Sequence, residues 1–309
     1  MQLKITNIFI LLIISYIGVS QTPTDAFMMK KKELCVAIPY QFSSWDHYWE
    51  GTLLRDNPNL GTVSQHTIMT MATYGIIDRL NIIASLPYIK TNASQGTMRG
   101  EKGIQDLSIW LKGKLLDKDL GSKFNLDVMA SLGYIHPIGG YYADYLPLSL
   151  GLGSKTMSSK LILNCWSKIG IFTSLSAGYD IRSNVKTDRS NYYTDHAYNT
   201  GEIKMPNLLN LGITIGYFKN LSRFELFYTN MNTEGNIDIR RNDMPMLSSN
   251  MDNSQVGFYI QQRMPFHENL GFILNGAITL NGRNIGKSNT IGGGILYQLN
   301  FSKTTKSTN

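Results

Sequence analysis

The feature that most constrains this chain is a strict alternation of residue types in its middle. Every second residue from Phe124 to Tyr134 is apolar or aromatic: Phe124, Leu126, Val128, Ala130, Leu132 and Tyr134. The residues between them are mostly polar or small: Asn125, Asp127, Met129, Ser131 and Gly133. A period of two is the period of a β-strand, so this stretch predicts a strand with one apolar face.

Segments of this kind recur along the chain, and they are about as long as a tilted membrane-spanning strand, roughly 9–11 residues. The connections between them alternate between long and short. Transmembrane barrels have this arrangement, with short turns at one end and long loops at the other. The chain is therefore predicted to be all-β, a transmembrane antiparallel up-and-down β-barrel of about 12 strands (10–14). The cell outer membrane of a Gram-negative bacterium is the expected location.

The N-terminus predicts a secretory signal peptide over residues 1–20. Lys4 supplies a positive charge, an apolar run follows from Ile8 to Ile17, and Gly18 and Ser20 are small residues suited to a cleavage site. A loose, polar periplasmic segment is expected over residues 21–32. The barrel is then predicted over residues 33–301, and a polar tail over residues 302–309.

Composition excludes several classes of protein. The formal charge is +7, but only 17% of residues are charged and the basic ones are scattered, which argues against a nucleic-acid partner. The mean hydropathy of −0.14 is too low for a helical membrane protein, yet suits a barrel in which only alternate residues meet lipid. The two cysteines, Cys35 and Cys165, fall on distant strands and are expected to be free thiols, buried or facing lipid.

Aromatic residues near the predicted strand ends suggest girdles at the two membrane interfaces. They are Tyr40, Tyr74, Tyr88, Tyr134, Tyr217, Tyr228 and Tyr297. The last strand places Ile295, Tyr297, Leu299 and Phe301 on one face, similar to the signal read by the outer-membrane assembly machinery. The expected partners are therefore outer-membrane lipid, that machinery and a small-molecule solute.

Two stretches resemble a known family. Gly75-Ile76-Ile77-Asp78-Arg79-Leu80 leads into a strand that ends Leu86-Pro87-Tyr88, and Gly103-Ile104-Gln105-Asp106-Leu107 opens one that ends Leu111-Lys112-Gly113-Lys114-Leu115. Both are similar to turns and strands of transporter-like outer-membrane proteins of the meta-pathway of phenol degradation family. The close match spans about residues 74–155, and Ile77 and Gln105 depart from the pattern. The resemblance implies an outer-membrane barrel that passes small, often aromatic or apolar, molecules.

No motif for enzymatic chemistry is present. The sequence contains no phosphate-binding loop, dinucleotide-binding turn, HExxH, CxxC or GxSxG. The five histidines are dispersed, so no metal site and no cofactor are expected. His66, with serines nearby, leaves open a barrel hydrolase that uses a Ser/His pair.

The polar face of the strands is expected to line the barrel interior and to hold any solute. The candidate residues are Trp110, Lys112, Asp127, Lys160, Trp166, Phe172, Asp180, Arg182, Phe227, Tyr259 and Arg263. Charges of both signs share this face with aromatic rings. Either the charges pair across the interior and fill it, or the rings bind a ligand that the polar groups orient.

Three functional hypotheses follow. The first is a passive channel or transporter for small amphipathic or aromatic solutes, which is not an enzyme. The second is a structural or adhesive barrel that acts through its long loops, at Trp45–Asn59, Asn184–Pro206 and Asn232–Asn253. The third is a barrel lipid hydrolase.

Overall fold

The structure is a computed structural model that describes residues 22–301 except 195, 236 and 241–244. The predicted signal peptide and the predicted C-terminal tail lie outside the described residues. Twelve long strands follow one another: β1 (Glu33–Trp45), β2 (Val63–Ile77), β3 (Leu80–Ala93), β4 (Asp106–Leu120), β5 (Phe124–Pro137), β6 (Thr156–Ser167), β7 (Ile171–Arg182), β8 (Leu208–Lys219), β9 (Ser222–Thr233), β10 (Asp252–Met264), β11 (His267–Arg283) and β12 (Asn289–Asn300).

The twelve strands close into one antiparallel barrel. Each strand pairs with its neighbours in sequence, and β1 pairs with β12 from Glu33 opposite Asn300 to Ser44 opposite Asn289. Closure leaves no free sheet edge, so every strand can place its backbone groups in hydrogen bonds. The prediction of a barrel of about 12 strands is confirmed.

Alternate residues face opposite sides of the wall, as β6 shows. Met157 and Leu161 are 65% and 53% exposed, whereas Ser158, Ile162 and Asn164 between and after them are buried. The same pattern runs round the barrel, so an apolar surface faces outward and polar side chains face inward. Six of the seven girdle tyrosines are exposed on this outer surface: Tyr40, Tyr88, Tyr134, Tyr217, Tyr228 and Tyr297.

The two ends of the barrel differ. Turns of two or three residues join the strands at the end where β1 begins, here called the short-turn end. The other end, the loop end, carries all the longer connections between the twelve strands, and several of these contain short strands that the sequence did not predict. They are His47–Glu50, Leu53–Asp56, Lys102–Ile104, Val185–Lys186, Tyr192–Tyr193, Ala197–Tyr198 and Glu202–Ile203.

The β4–β5 hairpin extends further than its sequence suggested. Asp117–Ser122 is predicted to be a charged turn, but β4 continues to Leu120, and Asp119 pairs with Asn125. The reversal occurs at Gly121, whose positive φ of 73° suits glycine. β4 has 15 residues, more than the roughly 9–11 that a tilted strand needs to span the membrane, so its charged end extends beyond the hydrocarbon region.

Both cysteines are free, as expected, with Cys35 buried and Cys165 exposed on the outer surface. Among the described residues no helix is long and apolar enough to cross a membrane.

Candidate functional site

The N-terminal segment enters the barrel at the short-turn end and is held there by Asp25. The Lys112 ammonium on β4 donates to the Asp25 carboxylate at 2.6 Å and to the backbone carbonyls of Asp25 and Thr22 at 2.7 and 3.1 Å. An ammonium has three protons, so the segment accepts all of them. Both side chains are almost fully buried, 0% exposed for Lys112 and 5% for Asp25.

Asp25 also contacts the opposite side of the barrel. The Arg223 guanidinium on β9 lies 3.5 Å from its second carboxylate oxygen. Arg223 in turn donates to Glu225 at 2.7 Å, so two cations and two carboxylates form one buried cluster with no net charge. Because β4 and β9 are five positions apart in a ring of twelve, the segment crosses the interior rather than following one wall.

Aromatic packing fixes the next residues of the segment. The Phe27 ring lies 5.2 Å from Trp166, 5.5 Å from Phe172 and 5.1 Å from Phe218, edge to face in each case. These are the favoured geometries and separations for aromatic pairs. The Arg223 guanidinium covers the Phe27 ring at 4.0 Å, a cation–π contact.

Two further contacts anchor the segment. The Ser131 hydroxyl on β5 donates to the Pro23 carbonyl at 2.8 Å, and Met29 is fully buried against Cys35, Ala37 and Leu296 of the barrel wall. The expectation of a loose segment over residues 21–32 is therefore wrong for residues 22–29, which are called the plug below. Local polarity suggested solvation, but the wall supplies partners for both the polar and the apolar side chains.

Four of the sequence-predicted site residues meet at the plug. Lys112 binds Asp25, and Trp166 and Phe172 pack on Phe27. The Tyr259 ring lies 4.7 Å from the Arg223 guanidinium. The structure thus brings these four together round residues that sequence reasoning missed.

The remaining candidates lie elsewhere on the inner wall, each with its own partners. The Lys160 ammonium stands 4.9 Å from the Trp110 ring. Asp127 lies 3.4 Å from Lys114, and Asp180 accepts from Ser158 and from Asn210. Arg182 donates to the Pro206 carbonyl at 3.4 Å, Phe227 packs against Gly257, and Arg263 bonds to Gln298 and to the Glu268 carbonyl.

Two neighbouring inward residues of β6 have buried polar atoms without a partner among the described residues. Asn164 on β6 is fully buried, and neither its amide nitrogen nor its carbonyl oxygen has a hydrogen-bond partner among the described residues. The indole nitrogen of Trp166, the next inward residue, is also buried without a hydrogen-bond partner among the described residues. Buried polar atoms require partners, so this part of the wall suits water or a polar solute group.

Sequence reasoning missed the plug residues Asp25 and Phe27 and the wall residue Arg223. The one available signal was the run Ala26-Phe27-Met28-Met29, which is apolar within an otherwise polar segment, together with Asp25 as the sole acid of residues 21–32. A solvated terminal segment has no need of an apolar run, so this run beside a single acid indicates that the segment packs against the barrel.

A cavity of about 500 Å³ opens among the loops at the other end of the barrel. Residues of five connections contribute to it, among them Leu60, Met98, Pro147 and Ile285, together with Trp45 at the end of β1. None of its described lining residues carries a charge. Its size lies in the usual range for small-molecule sites, and its lining suits an uncharged, partly apolar molecule.

A glycine shapes this cavity. The indole of Trp45 lies so close to Gly286 that a Cβ there would stand 2.3 Å from the ring. Gly286 therefore sets the position of the largest aromatic surface in the cavity. The loop beside it is held by Asn284, whose amide donates to Asp238 at 2.8 Å and to the Asn250 carbonyl at 2.9 Å.

A second loop cavity, of about 810 Å³, has the opposite character, with Asp144, Lys155 and Arg189 in its lining. Arg189 and Asp144 form an ion pair. Tyr141 in the same lining donates its hydroxyl to Asp106, and burial together with this bond raises the pKa of Tyr141. The hydroxyl is thus a fixed donor at neutral pH.

The histidine of the hydrolase hypothesis, His66, contacts a tyrosine hydroxyl. Nδ1 of His66 lies 2.8 Å from the Tyr40 hydroxyl, and no Ser–His hydrogen bond occurs among the described side-chain contacts. No group of three or more metal-ligating side chains occurs among the described residues.

The fold resembles that of solved structures, whereas the sequence comparisons find no match. No family model and no curated protein matches the chain. An outer membrane channel from Pseudomonas putida F1 is 13% identical, with a TM-score of 0.71 over 91% of this chain and 100% of the other. The NanC porin is 12% identical, with a TM-score of 0.50 over 85% of this chain and 100% of the other.

The fold is that of an outer-membrane β-barrel. At 13% identity the likeness concerns the fold alone. The plug, the inner wall and the loop cavities therefore have to be interpreted from this chain's own residues.

Proposed function

We propose that this chain is an outer-membrane channel, not an enzyme, for small amphipathic or aromatic solutes, as in the family that its sequence resembles. The observation that carries the proposal is the closed barrel with an apolar outer face and a charged, aromatic inner face. Such a wall lets lipid surround the barrel while the interior remains hydrated.

The uncharged loop cavity supports the choice of solute. A molecule without charge loses little on leaving water for this lining, while Trp45 and its apolar neighbours offer aromatic and aliphatic contacts. The solute binds first in this cavity and then passes between the inward side chains. The plug obstructs the barrel interior, so flux requires residues 22–29 to leave their binding site on the wall.

The test is solute flux into liposomes that hold the refolded full-length protein, with protein-free liposomes as the baseline. Phenyl glucoside and sucrose form a suitable pair, because both are uncharged and poorly permeant but only one carries an aromatic ring. The proposal expects faster uptake of phenyl glucoside. Absence of flux for every solute, from protein shown to be folded by heat-dependent gel mobility, contradicts it.

No specific observation favours either of the other two hypotheses. An adhesive role would need a loop surface suited to a partner, and the long loops instead enclose the two cavities described above. A hydrolase would need a nucleophile beside a base, and His66 is bonded to a phenol hydroxyl.

A further inference from the structure

A row of basic side chains crosses the outer surface near the loop end. The strand register sets His66 on β2 opposite Lys90 on β3, and Lys90 opposite Lys102 of the short strand Lys102–Ile104. These three residues are called the basic row. The residues two positions away from the basic row on the same strands also lie opposite one another. They are Ile68, Tyr88 and Ile104, and each is 44–46% exposed on the outer surface. Side chains two apart share a face, so the basic row also faces outward.

The two lysines carry like charges that no acid among the described residues balances. Both side chains are exposed, and no salt bridge among the described residues includes either of them. Glu101, next to Lys102 in sequence, lies beside Thr91, which faces the interior. Like charges directly opposite each other on neighbouring strands repel, with Cβ atoms roughly 4.5–5.5 Å apart. An anion between the two ammonium groups would remove this repulsion.

The position of the row indicates which anion fits. Tyr88 and Ile104 lie toward the apolar band, and loop residues lie beyond the row on the other side. The row therefore stands where the hydrocarbon region gives way to headgroups, a level that aromatic residues also mark. Lysine is a strong point-charge ligand for phosphate, and basic residues near a membrane surface attract anionic headgroups.

We infer that Lys90 and Lys102, with His66 beside them, bind the phosphate groups of lipopolysaccharide, the phosphorylated glycolipid of the outer leaflet. The inference rests on the outer-membrane location in the proposed function, because loops of such barrels face the cell exterior. The acyl chains of the same lipid lie against Ile68, Tyr88 and Ile104. The bond between Nδ1 of His66 and the Tyr40 hydroxyl fixes the imidazole at the edge of the row.

The test measures binding of lipid A to the purified full-length protein in detergent micelles by native mass spectrometry. Lys90→Ala/Lys102→Ala removes both charges from the exposed row and leaves the interior unchanged. Lys118→Ala/Lys123→Ala is the matched control, since it removes two exposed lysines at the short-turn end. At roughly 1 kcal/mol for each lysine, the first variant should bind lipid A about thirtyfold more weakly. The control should bind like the wild type.

Two further arms distinguish the lipid from a free anion. Fully dephosphorylated lipid A should bind the wild type as weakly as intact lipid A binds the double variant. Inorganic phosphate at millimolar concentration should fail to displace lipid A, because it lacks the acyl chains. Equal binding by the two double variants and the wild type overturns the inference, as does displacement by inorganic phosphate. Lipid binding without solute flux would refute only the channel proposal, and flux without lipid binding would refute only this inference.

Discussion

Asp25 and Lys112 form a buried ion pair, with 2.6 Å between carboxylate and ammonium, inside the barrel. One partner belongs to the N-terminal plug and the other to the wall. A buried charge needs its partner, and removing one member of such a pair costs about 3–5 kcal/mol. The pair therefore fixes the plug to the wall and makes its position sensitive to one substitution.

The aromatic half of the plug can be tested separately. Phe27→Ala removes the ring that packs on Trp166, Phe172 and Phe218, and a buried Phe→Ala change costs about 3–5 kcal/mol. We expect the segment to leave the interior more often, so that trypsin cleaves after Lys30–Lys32 faster. Phe266→Ala is the matched control, because this ring is 85% exposed in the β10–β11 turn. Equal cleavage rates in the two variants would show that Phe27 does not hold the plug.

The geometry of the uncharged loop cavity predicts that two glycine-to-alanine substitutions differ in their effect on ligand binding. Gly286→Ala would place its Cβ 2.3 Å from the Trp45 indole and displace the ring. Gly140→Ala adds the same methyl group at a loop position with nothing within 4 Å. Binding of 1-naphthol, followed by tryptophan fluorescence, should weaken severalfold in the first variant and stay unchanged in the second. Unchanged binding in both would exclude the cavity as the aromatic site.

Acid should loosen the loop that contains Asp238. Hydrogen bonds from Arg283 and Asn284 hold the pKa of Asp238 below its ordinary value of 3.8. A lowered folded-state pKa means that the contact stabilises the loop above about pH 3.8 and is lost as the pH falls through the lower value.

The measurement for this loop is its cleavage by an acid protease between pH 5 and pH 2. We expect cleavage within residues 234–251 to accelerate at the acidic end in the wild type. Asp238→Asn should be cleaved readily throughout, because the ion pair with Arg283 is already absent. A wild-type loop that stays resistant at pH 2 would contradict this account.

The wall of the barrel could be predicted from sequence because its signal is local. Alternation along Phe124–Tyr134 decides which side chains face lipid, and the face assignment followed without knowledge of neighbouring strands. Lys112 and Phe172 were expected to face inward on this basis, and both side chains are fully buried.

The plug could not be predicted in this way because its partners are distant in the chain. Asp25 meets Lys112, 87 residues away, and only closure of the barrel brings them together. The loop cavity was beyond prediction for a similar reason: Trp45 and Gly286 become neighbours when the first and last strands pair. The length of the β4–β5 hairpin was underestimated because a charged sequence near Asp119 is compatible with either a turn or a strand outside the membrane.

The central claim, that this barrel is a channel closed by its own N-terminal plug, is tested most directly by single-channel conductance in planar bilayers. The comparison is between the wild type, Asp25→Ala and Asp119→Ala, which removes an exposed carboxylate from the β4–β5 hairpin. The account predicts that Asp25→Ala opens more often and to a larger conductance than the wild type, while Asp119→Ala matches the wild type. Identical conductance in all three proteins, with folding verified, would contradict it.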